Sequence, residues 1–221
     1  MIDEQCIPTR ENESERGAQF DSYATRGQSL FRAQCGRNSP ERETWRARLR
    51  DWTGRPVLST LDVGCGSGFL TVLLAELGHQ ATGIDVAGES LHAARAQASA
   101  AGVNVALRRA DAERLPFAPA SFDRLIERHV IWLLPDPAGA CREWFRVLRP
   151  GGSAVMVETE KPSHDAAWQP RSGVQAASFL TKLVRGAGFT EVELQPLVDA
   201  AGCGDEGCHT RYALHARKPA A

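Results

Sequence analysis

The chain is poor in lysine and has no excess of positive charge. Lysine occurs only at Lys161, Lys182 and Lys218, and arginine supplies nearly all of the remaining positive charge. The 26 basic residues are balanced by 27 acidic ones, which gives a formal net charge of -1. Proteins that wrap nucleic acid usually carry a basic excess. The composition therefore disfavours a nucleic-acid partner.

The sequence also lacks a long apolar run. No stretch reaches the roughly 18 consecutive apolar residues that a membrane span requires, so no membrane partner is expected. Residues 1–16 are polar and acidic and have no apolar centre of the kind found in secretory signals, which predicts a cytoplasmic protein. The six scattered cysteines are expected to be reduced thiols in that compartment.

Short apolar runs and helical patterns alternate along most of the chain. Strands are predicted at residues 57–63, 81–86, 103–108, 122–128, 153–158, 189–194 and 211–216. Helices are predicted at residues 69–77, 89–101, 137–148 and 176–187. This alternation is typical of βαβ units and predicts an α/β protein with a mostly parallel sheet covered by helices on both faces.

The residues before the first strand have a different pattern. Residues 1–19 form a charged tail, and the apolar spacing over 20–52 predicts two helices separated near Gly36 and Pro40. We therefore divide the chain into an N-terminal tail with lid helices, residues 1–56, and a single structural core, residues 57–221.

A glycine-rich turn follows the first predicted strand. Residues 61–68 read Leu-Asp-Val-Gly-Cys-Gly-Ser-Gly, so the strand passes through three glycines directly into a helix. The glycines permit a tight turn and let a ligand lie against bare backbone, and the helix N-terminus offers free N–H groups. Asp85 ends the second strand, 21 residues after Gly64, where a carboxylate can accept hydrogen bonds from both hydroxyls of a ribose.

The spacing of this loop differs from that of a dinucleotide site. The dinucleotide fingerprint is G-x-G-x-x-G, whereas this loop is G-x-G-x-G. Asp62 stands two residues before the first glycine, where an acid suits a cationic amino group and opposes a pyrophosphate. The predicted ligand is a nucleoside that carries an amino acid.

Four motifs, in this order, resemble those of class I S-adenosylmethionine (SAM)-dependent methyltransferases. They are the glycine loop, Gly-Ile-Asp-Val at 83–86, Ala-Asp-Ala-Glu at 110–113, and Phe-Asp at 122–123 followed by Arg-Pro-Gly-Gly at 149–152. The resemblance covers about residues 57–160. It implies a Rossmann-like, doubly wound, seven-stranded sheet of order 3-2-1-4-5-7-6. It also implies SAM as the cofactor and S-adenosylhomocysteine as the product.

The resemblance also implies which residues bind SAM. They are Tyr23, Asp62, Gly64, Cys65, Gly66, Asp85, Val86, Asp111, Ala112 and Arg128. The loop and its preceding acid would hold the methionine part, and Asp85 the ribose. The next two motifs would surround the adenine, the Arg128 backbone would meet the amino group, and Tyr23 would close over the cofactor. The alternatives are local capping roles for Asp62 and Asp111, and Cys65 as a small filler rather than a nucleophile.

Candidate catalytic residues follow the fourth and fifth strands, because an open parallel sheet binds ligands at the carboxyl ends of its strands. Methyl transfer from a sulfonium requires the protein mainly to orient the nucleophile and, where needed, to remove its proton. His129 could do either, and Glu158 or His164 could act as the base. The alternatives are a structural hydrogen bond or a SAM contact for His129, and a solvated loop for the other two residues.

No metal site is predicted. Cys203, Cys208 and His209 combine two thiols with an imidazole, but their C-x4-C-H spacing is not a standard zinc spacing and no fourth ligand is evident. A glycine-rich turn before the last strand is the alternative.

The sequence thus predicts a SAM-dependent methyltransferase acting on an O, N or C nucleophile of a small molecule in bacterial biosynthesis. The balanced charge and the short lid favour a compact acceptor over a polyanion. The alternatives are an aminocarboxypropyl transferase or cyclase that releases methylthioadenosine, an RNA or protein methyltransferase, and a non-catalytic nucleoside-binding protein. A homodimer is among the expected assemblies.

Overall fold

The computed structural model describes residues 39–54, 56–159, 176–197 and 211–220. Within them the helices are α1 (Pro40–Thr53), α2 (Phe69–Glu76), α3 (Gly88–Ala101), α4 (Pro137–Val147) and α5 (Ala176–Gly186), with a short 3-10 turn at Ile131–Leu133. The strands are β1 (Ser59–Val63), β2 (Gln80–Asp85), β3 (Ala106–Arg109), β4 (Phe122–Arg128), β5 (Leu148–Thr159), β6 (Thr190–Leu197) and β7 (Arg211–Arg217).

The strands form one seven-stranded sheet of order β3-β2-β1-β4-β5-β7-β6, which confirms the predicted fold. The first five strands pair in parallel, and β7 inserts antiparallel between β5 and β6. The strand order reverses between β1 and β4, so a crevice opens beyond their carboxyl ends. The predicted glycine loop follows β1, and the catalytic candidate His129 follows β4.

Both faces of the central strands are buried. Leu125 of β4 belongs to the core formed with α4 and α5, while its neighbour Ile126 belongs to the core formed with α1 and α2. This explains why the parallel strands read as continuous apolar runs rather than as alternating ones. None of the helices in the described ranges is long and apolar enough to cross a membrane.

Helix α1 packs into this second core. Trp45 and Leu49 are buried there, and the Trp52 indole N–H donates a hydrogen bond of 3.0 Å to Gln195 of β6. A predicted lid helix thus packs along one face of the sheet. The division of the chain at residue 56 stays a prediction.

Strand β5 begins earlier than the sequence predicts. The Arg-Pro-Gly-Gly segment follows the predicted helix at 137–148 and has the composition of a turn, yet it lies inside β5, which starts at Leu148. Gly151 has φ +76°, and a Cβ on Gly152 would lie 3.0 Å from the carbonyl oxygen of Asp123. The register with β4 shifts between Phe122 and Arg124, so the two glycines allow a bulged strand where a turn was predicted.

Candidate functional site

The glycine loop is braced by the carboxylate at the end of β2. Asp85 Oδ2 accepts a 2.8 Å hydrogen bond from the Gly66 amide, and its Oδ1 accepts another of 2.8 Å from the Ala87 amide. These two bonds tie the loop to the start of α3. A residue predicted to bind a ribose therefore also organises the backbone around it.

The first two glycines of the loop face different surroundings. A Cβ on Gly64 would lie 2.3 Å from Val130 Cγ2, whereas a Cβ on Gly66 would meet no atom within 4 Å. Both have positive φ, of 65° and 52°. Close packing against Val130 leaves room only for glycine at position 64. Gly66 borders open space, where a ligand can lie against the backbone.

Asp62 is buried beneath the loop. The residue is only 2% exposed, and its Oδ2 accepts a 2.6 Å hydrogen bond from the Thr71 hydroxyl. Burial raises the pKa of Asp62 to about 6, although the Thr71 hydrogen bond and the Arg128 guanidinium oppose the shift. Such a carboxyl gains from a cationic partner that enters beside it.

The Arg128 side chain is held between two aromatic rings. Its guanidinium carbon lies 5.0 Å from the ring centroid of Trp45 and 5.2 Å from that of Phe69. Cation–π contacts of this kind orient the planar group. The contact also joins α1 to the carboxyl end of β4, where Arg128 backbone atoms were predicted to contact the cofactor.

A cavity of about 850 Å³ opens beside the carboxyl ends of β2 and β3. Val86 and Asp111, both predicted to contact adenine, line it. Asp111 Oδ1 also accepts a 2.9 Å hydrogen bond from the Glu113 amide, as the capping alternative requires. Ala112 is buried and its carbonyl accepts the Trp144 indole N–H at 3.0 Å. The cavity volume is ordinary for a small-ligand site, which spans about 300–1,000 Å³.

His129 and Glu158 come together at the ends of β4 and β5. The last paired positions of these strands are Arg128 and Val157, so the two candidates follow at the same level. Nδ1 of His129 lies 3.4 Å from Oε2 of Glu158. His129 has φ +61°, a strained conformation that is frequent at functional sites.

A third member of this cluster, Glu127, was not predicted from the sequence. Its carboxyl is fully buried, and Oε2 accepts a 3.0 Å hydrogen bond from the Val130 amide. Burial and the nearby Glu158 raise the pKa of Glu127 well above its usual range. The signal in the sequence was an acid near the end of an apolar strand, two positions before His129.

Cys65 is buried as a free thiol. Burial raises its pKa well above the ordinary value, and the carboxylates of Asp62 and Asp85 add to the shift. A protonated, buried thiol is a poor nucleophile, which fits the predicted filler role.

Several predicted residues lie outside the described part of the chain. They are Tyr23, His164, Cys203, Cys208 and His209. Among the residues that the structure does describe, no group of three or more His, Cys, Asp or Glu side chains could hold a metal ion.

Comparison with known proteins places these features in a family. A model of a methyltransferase domain matches residues 61–156. The ubiquinone biosynthesis O-methyltransferase of Ruegeria pomeroyi is 30% identical over 164 residues, 66% of each chain. The demethylmenaquinone methyltransferase of Staphylococcus aureus is 35% identical over 127 residues, 56% of this chain and 52% of that protein. The alignments thus span between about half and two thirds of these relatives.

Solved structures share the fold. The 4+2 cyclase SpnF superposes with a TM-score of 0.75 at 22% identity, over 96% of this chain and 98% of that one. A SAM-dependent methyltransferase from Methanosarcina mazei superposes with a TM-score of 0.64 at 21% identity, over 79% and 98%. The chain belongs to the class I SAM-dependent methyltransferase family.

Proposed function

We propose that this chain binds SAM and transfers its methyl group to an O, N or C nucleophile of a small molecule. The observation that carries the proposal is the loop at the point where the strand order reverses. There the Gly66 amide, held by Asp85, borders open space. The cavity lined by Val86 and Asp111 lies beside the end of the same strand β2. The loop and the cavity together support a site for a nucleoside that carries an amino acid.

The chemistry of the donor groups fits SAM. Asp62, ionised, would pair with the ammonium group of the methionine part. Each oxygen of Asp85 accepts one amide hydrogen, and a carboxylate oxygen has a second lone pair, so the ribose hydroxyls can also donate to it. Val86 and Asp111 would hold the adenine. SAM, when bound, supplies a methyl group already activated on a sulfonium.

The remaining predicted contacts complete this assignment. The Gly64 and Cys65 backbone would follow the methionine part, the Ala112 N–H would meet the adenine ring, and the Arg128 backbone the amino group. Tyr23 would cover the cofactor.

A small aromatic acceptor is the first to test. The names of both curated relatives given above refer to quinone biosynthesis or to a menaquinone precursor, so quinone-type rings are suitable probes. The cytoplasmic location, the role in bacterial biosynthesis and the homodimer stay predictions.

Calorimetry with SAM and with S-adenosylhomocysteine tests the proposal directly. The purified chain is expected to bind both with one-to-one stoichiometry and micromolar affinity. Incubation with SAM and an acceptor should release S-adenosylhomocysteine. Release of methylthioadenosine would instead indicate aminocarboxypropyl chemistry, and strongly salt-dependent RNA binding would indicate an RNA substrate. Absence of SAM binding would contradict the proposal itself.

SAM affinity is expected to fall as the pH drops below about 6, the pKa of Asp62. Only the ionised carboxyl attracts the SAM ammonium, which keeps its proton below about pH 7.7. The association constant should therefore level off above about pH 6 and fall roughly tenfold per pH unit below it. Calorimetry between mild acid and neutral pH measures this dependence.

Asp62→Asn is the control for that experiment. It should bind SAM more weakly at neutral pH and show a flat profile, because the amide does not titrate. An affinity of the wild type for SAM that does not change between about pH 4 and about pH 6 would refute the ammonium pairing.

Ionisation of Asp62 also affects the stability of the protein without SAM. The pKa of Asp62 in the folded protein lies above its value in the unfolded chain, so the free energy of unfolding falls as the pH rises from about 4 to about 6.

A further inference from the structure

Two glutamates lie side by side at the carboxyl ends of β4 and β5. Glu127 pairs in register with Met156, and Glu158 follows two positions later on the same face of the sheet. Glu127 is 0% exposed and Glu158 is 1% exposed. Their carboxyl groups interact directly with each other. Oε1 of each is buried and receives no hydrogen bond within the described ranges.

Two facing carboxylates cannot hydrogen-bond to each other, because both are acceptors only. One added proton turns one of them into a donor and removes the repulsion between like charges. Burial raises the pKa of both groups. The pair therefore keeps at least one proton at neutral pH and titrates as a unit.

Backbone amides stabilise a negative charge on the pair. The N–H groups of Val130, Ile131 and Thr159 all act to lower the pKa of one or both glutamates. Hydrogen bonds from amides to a buried carboxylate favour its ionised form. A state with one proton and one negative charge shared between Glu127 and Glu158 satisfies both effects.

His129 connects this pair with the exterior. Its Nδ1 faces Glu158, and 44% of its side chain is exposed. Desolvation and the guanidinium groups of Arg128 and Arg211 lower its pKa, with the exposed surface moderating the effect, so the imidazole is neutral at neutral pH. With the Nδ1 proton donated to Glu158, the lone pair is on Nε2, on the side of the ring away from the glutamates.

Glu127 also fixes the conformation of His129. Its Oε2 accepts a hydrogen bond from the amide of Val130. Val130 directly follows His129, whose strained φ is +61°. The His129 amide in turn donates to the Val157 carbonyl at 3.0 Å. The turn that presents the imidazole is therefore anchored to both strands.

We propose that Glu127, Glu158 and His129 form a proton relay that serves an acceptor carrying a hydroxyl group. The inference rests on the proposed methyltransferase function. Glu158 and His129 move the proton, and Glu127 is a positioning residue that holds the shared proton and the turn. A relay of this kind is needed by a phenolic or enolic hydroxyl, which must lose its proton on methylation.

The methyl-transfer step conserves protons and electrons. An oxygen lone pair of the acceptor forms the C–O bond with the methyl carbon, and the electrons of the breaking C–S bond stay on sulfur. The hydroxyl proton goes to Nε2 of His129, while the Nδ1 proton passes to Glu158. Both glutamates are then protonated, and the extra proton leaves to solvent through the exposed imidazole.

Other charged or titratable groups border this cluster. Tyr212 of β7 pairs directly with Glu158, the Cys141 thiol of α4 faces Glu127, and Arg128 and Arg211 flank His129. Burial and Glu127 raise the pKa of Cys141 to about 12, so this thiol does not titrate with the relay.

Infrared spectroscopy tests the shared proton without any acceptor. The full chain at neutral pH should show one buried protonated carboxyl band, which disappears when the pH is raised. Glu127→Gln and Glu158→Gln should each lower the pH at which the band disappears, because the remaining glutamate keeps its burial but has an amide donor in place of a like charge beside it. Glu193→Gln, at an exposed site on β6, should leave it unchanged. A band that titrates in both variants at the same pH as in the wild type would overturn the shared proton.

Activity measurements with SAM and a panel of phenols test the relay. Glu158→Gln should lower kcat for S-adenosylhomocysteine formation about 100-fold and leave the affinity for S-adenosylhomocysteine unchanged. Glu127→Gln should keep most of kcat and move the acid limb of its pH profile to lower pH, a change that a purely structural role would not cause. Full activity of Glu158→Gln would overturn the relay. A wild type that binds SAM but methylates no phenol would overturn the hydroxyl assignment, whereas failure to bind SAM would overturn the proposed function.

Discussion

Replacing Asp85 with alanine is expected to weaken the binding of S-adenosylhomocysteine by about 100-fold. The carboxylate would lose its bonds to the ribose hydroxyls, and the Gly66 and Ala87 amides would lose their acceptor. Hydrogen bonds to a charged group contribute about 1.5–3 kcal/mol each, and about 1.4 kcal/mol corresponds to a tenfold change in affinity. Losing two of them at the ribose accounts for the expected effect.

Calorimetry on two further variants separates charge from local structure. Asp85→Asn keeps one acceptor oxygen and should lose about tenfold by the same arithmetic. Asp51→Ala removes an exposed carboxylate of α1 and should bind as the wild type does. If Asp85→Ala is folded by circular dichroism and binds S-adenosylhomocysteine normally, the assignment of the ribose to Asp85 is wrong.

Gly68→Ala is expected to lower the free energy of unfolding by about 3 kcal/mol. Gly68 has φ +86°, and its added Cβ would lie 2.8 Å from Ala94 Cβ and 3.1 Å from Ala94 Cα. The left-handed conformation costs a residue with a Cβ about 1–2 kcal/mol, and overpacking adds about 1–3 kcal/mol. Because one of the close atoms is backbone, α2 and α3 must move apart to relieve the contact.

Gly78→Ala is a matched control for the conformational part of this cost. Gly78 has φ +92°, and a Cβ there would meet no atom within 4 Å. It should lose only about 1–2 kcal/mol. Urea unfolding of both variants measures the difference. Equal losses would show that the approach of α3 to the glycine loop is not what excludes a side chain at Gly68.

The alternation of strands and helices could be predicted because its signals are local. Short apolar runs, glycine-terminated helices and the G-x-G-x-G loop each occupy a few consecutive residues. Together they specify strands and crossovers, and right-handed crossovers leave few topologies. The motif order then matched a family whose strand order the structure confirms.

The Arg-Pro-Gly-Gly segment shows where local signals fail. Proline and two glycines indicate a turn, yet pairing of Leu148 with Phe122 of β4 extends β5 back to Leu148. The Gly151 amide bonds to the Lys218 carbonyl at 3.1 Å, and the Lys218 amide bonds to the Gly152 carbonyl at 2.8 Å. Hydrogen bonds to a distant segment override the local preference of these residues.

The sequence alone determined the alternation of strands and helices, the glycine loop and the acids at Asp62 and Asp85, because each depends on residue type and spacing along the chain. The order of the strands was implied by the family resemblance. The sequence did not reveal that Asp85 braces Gly66, or that Glu127 lies against Glu158. Those contacts are set by the register between separate strands. Only the tertiary structure brings the carboxyl groups together and excludes water from them, and burial with a like charge is what keeps a proton on such a pair.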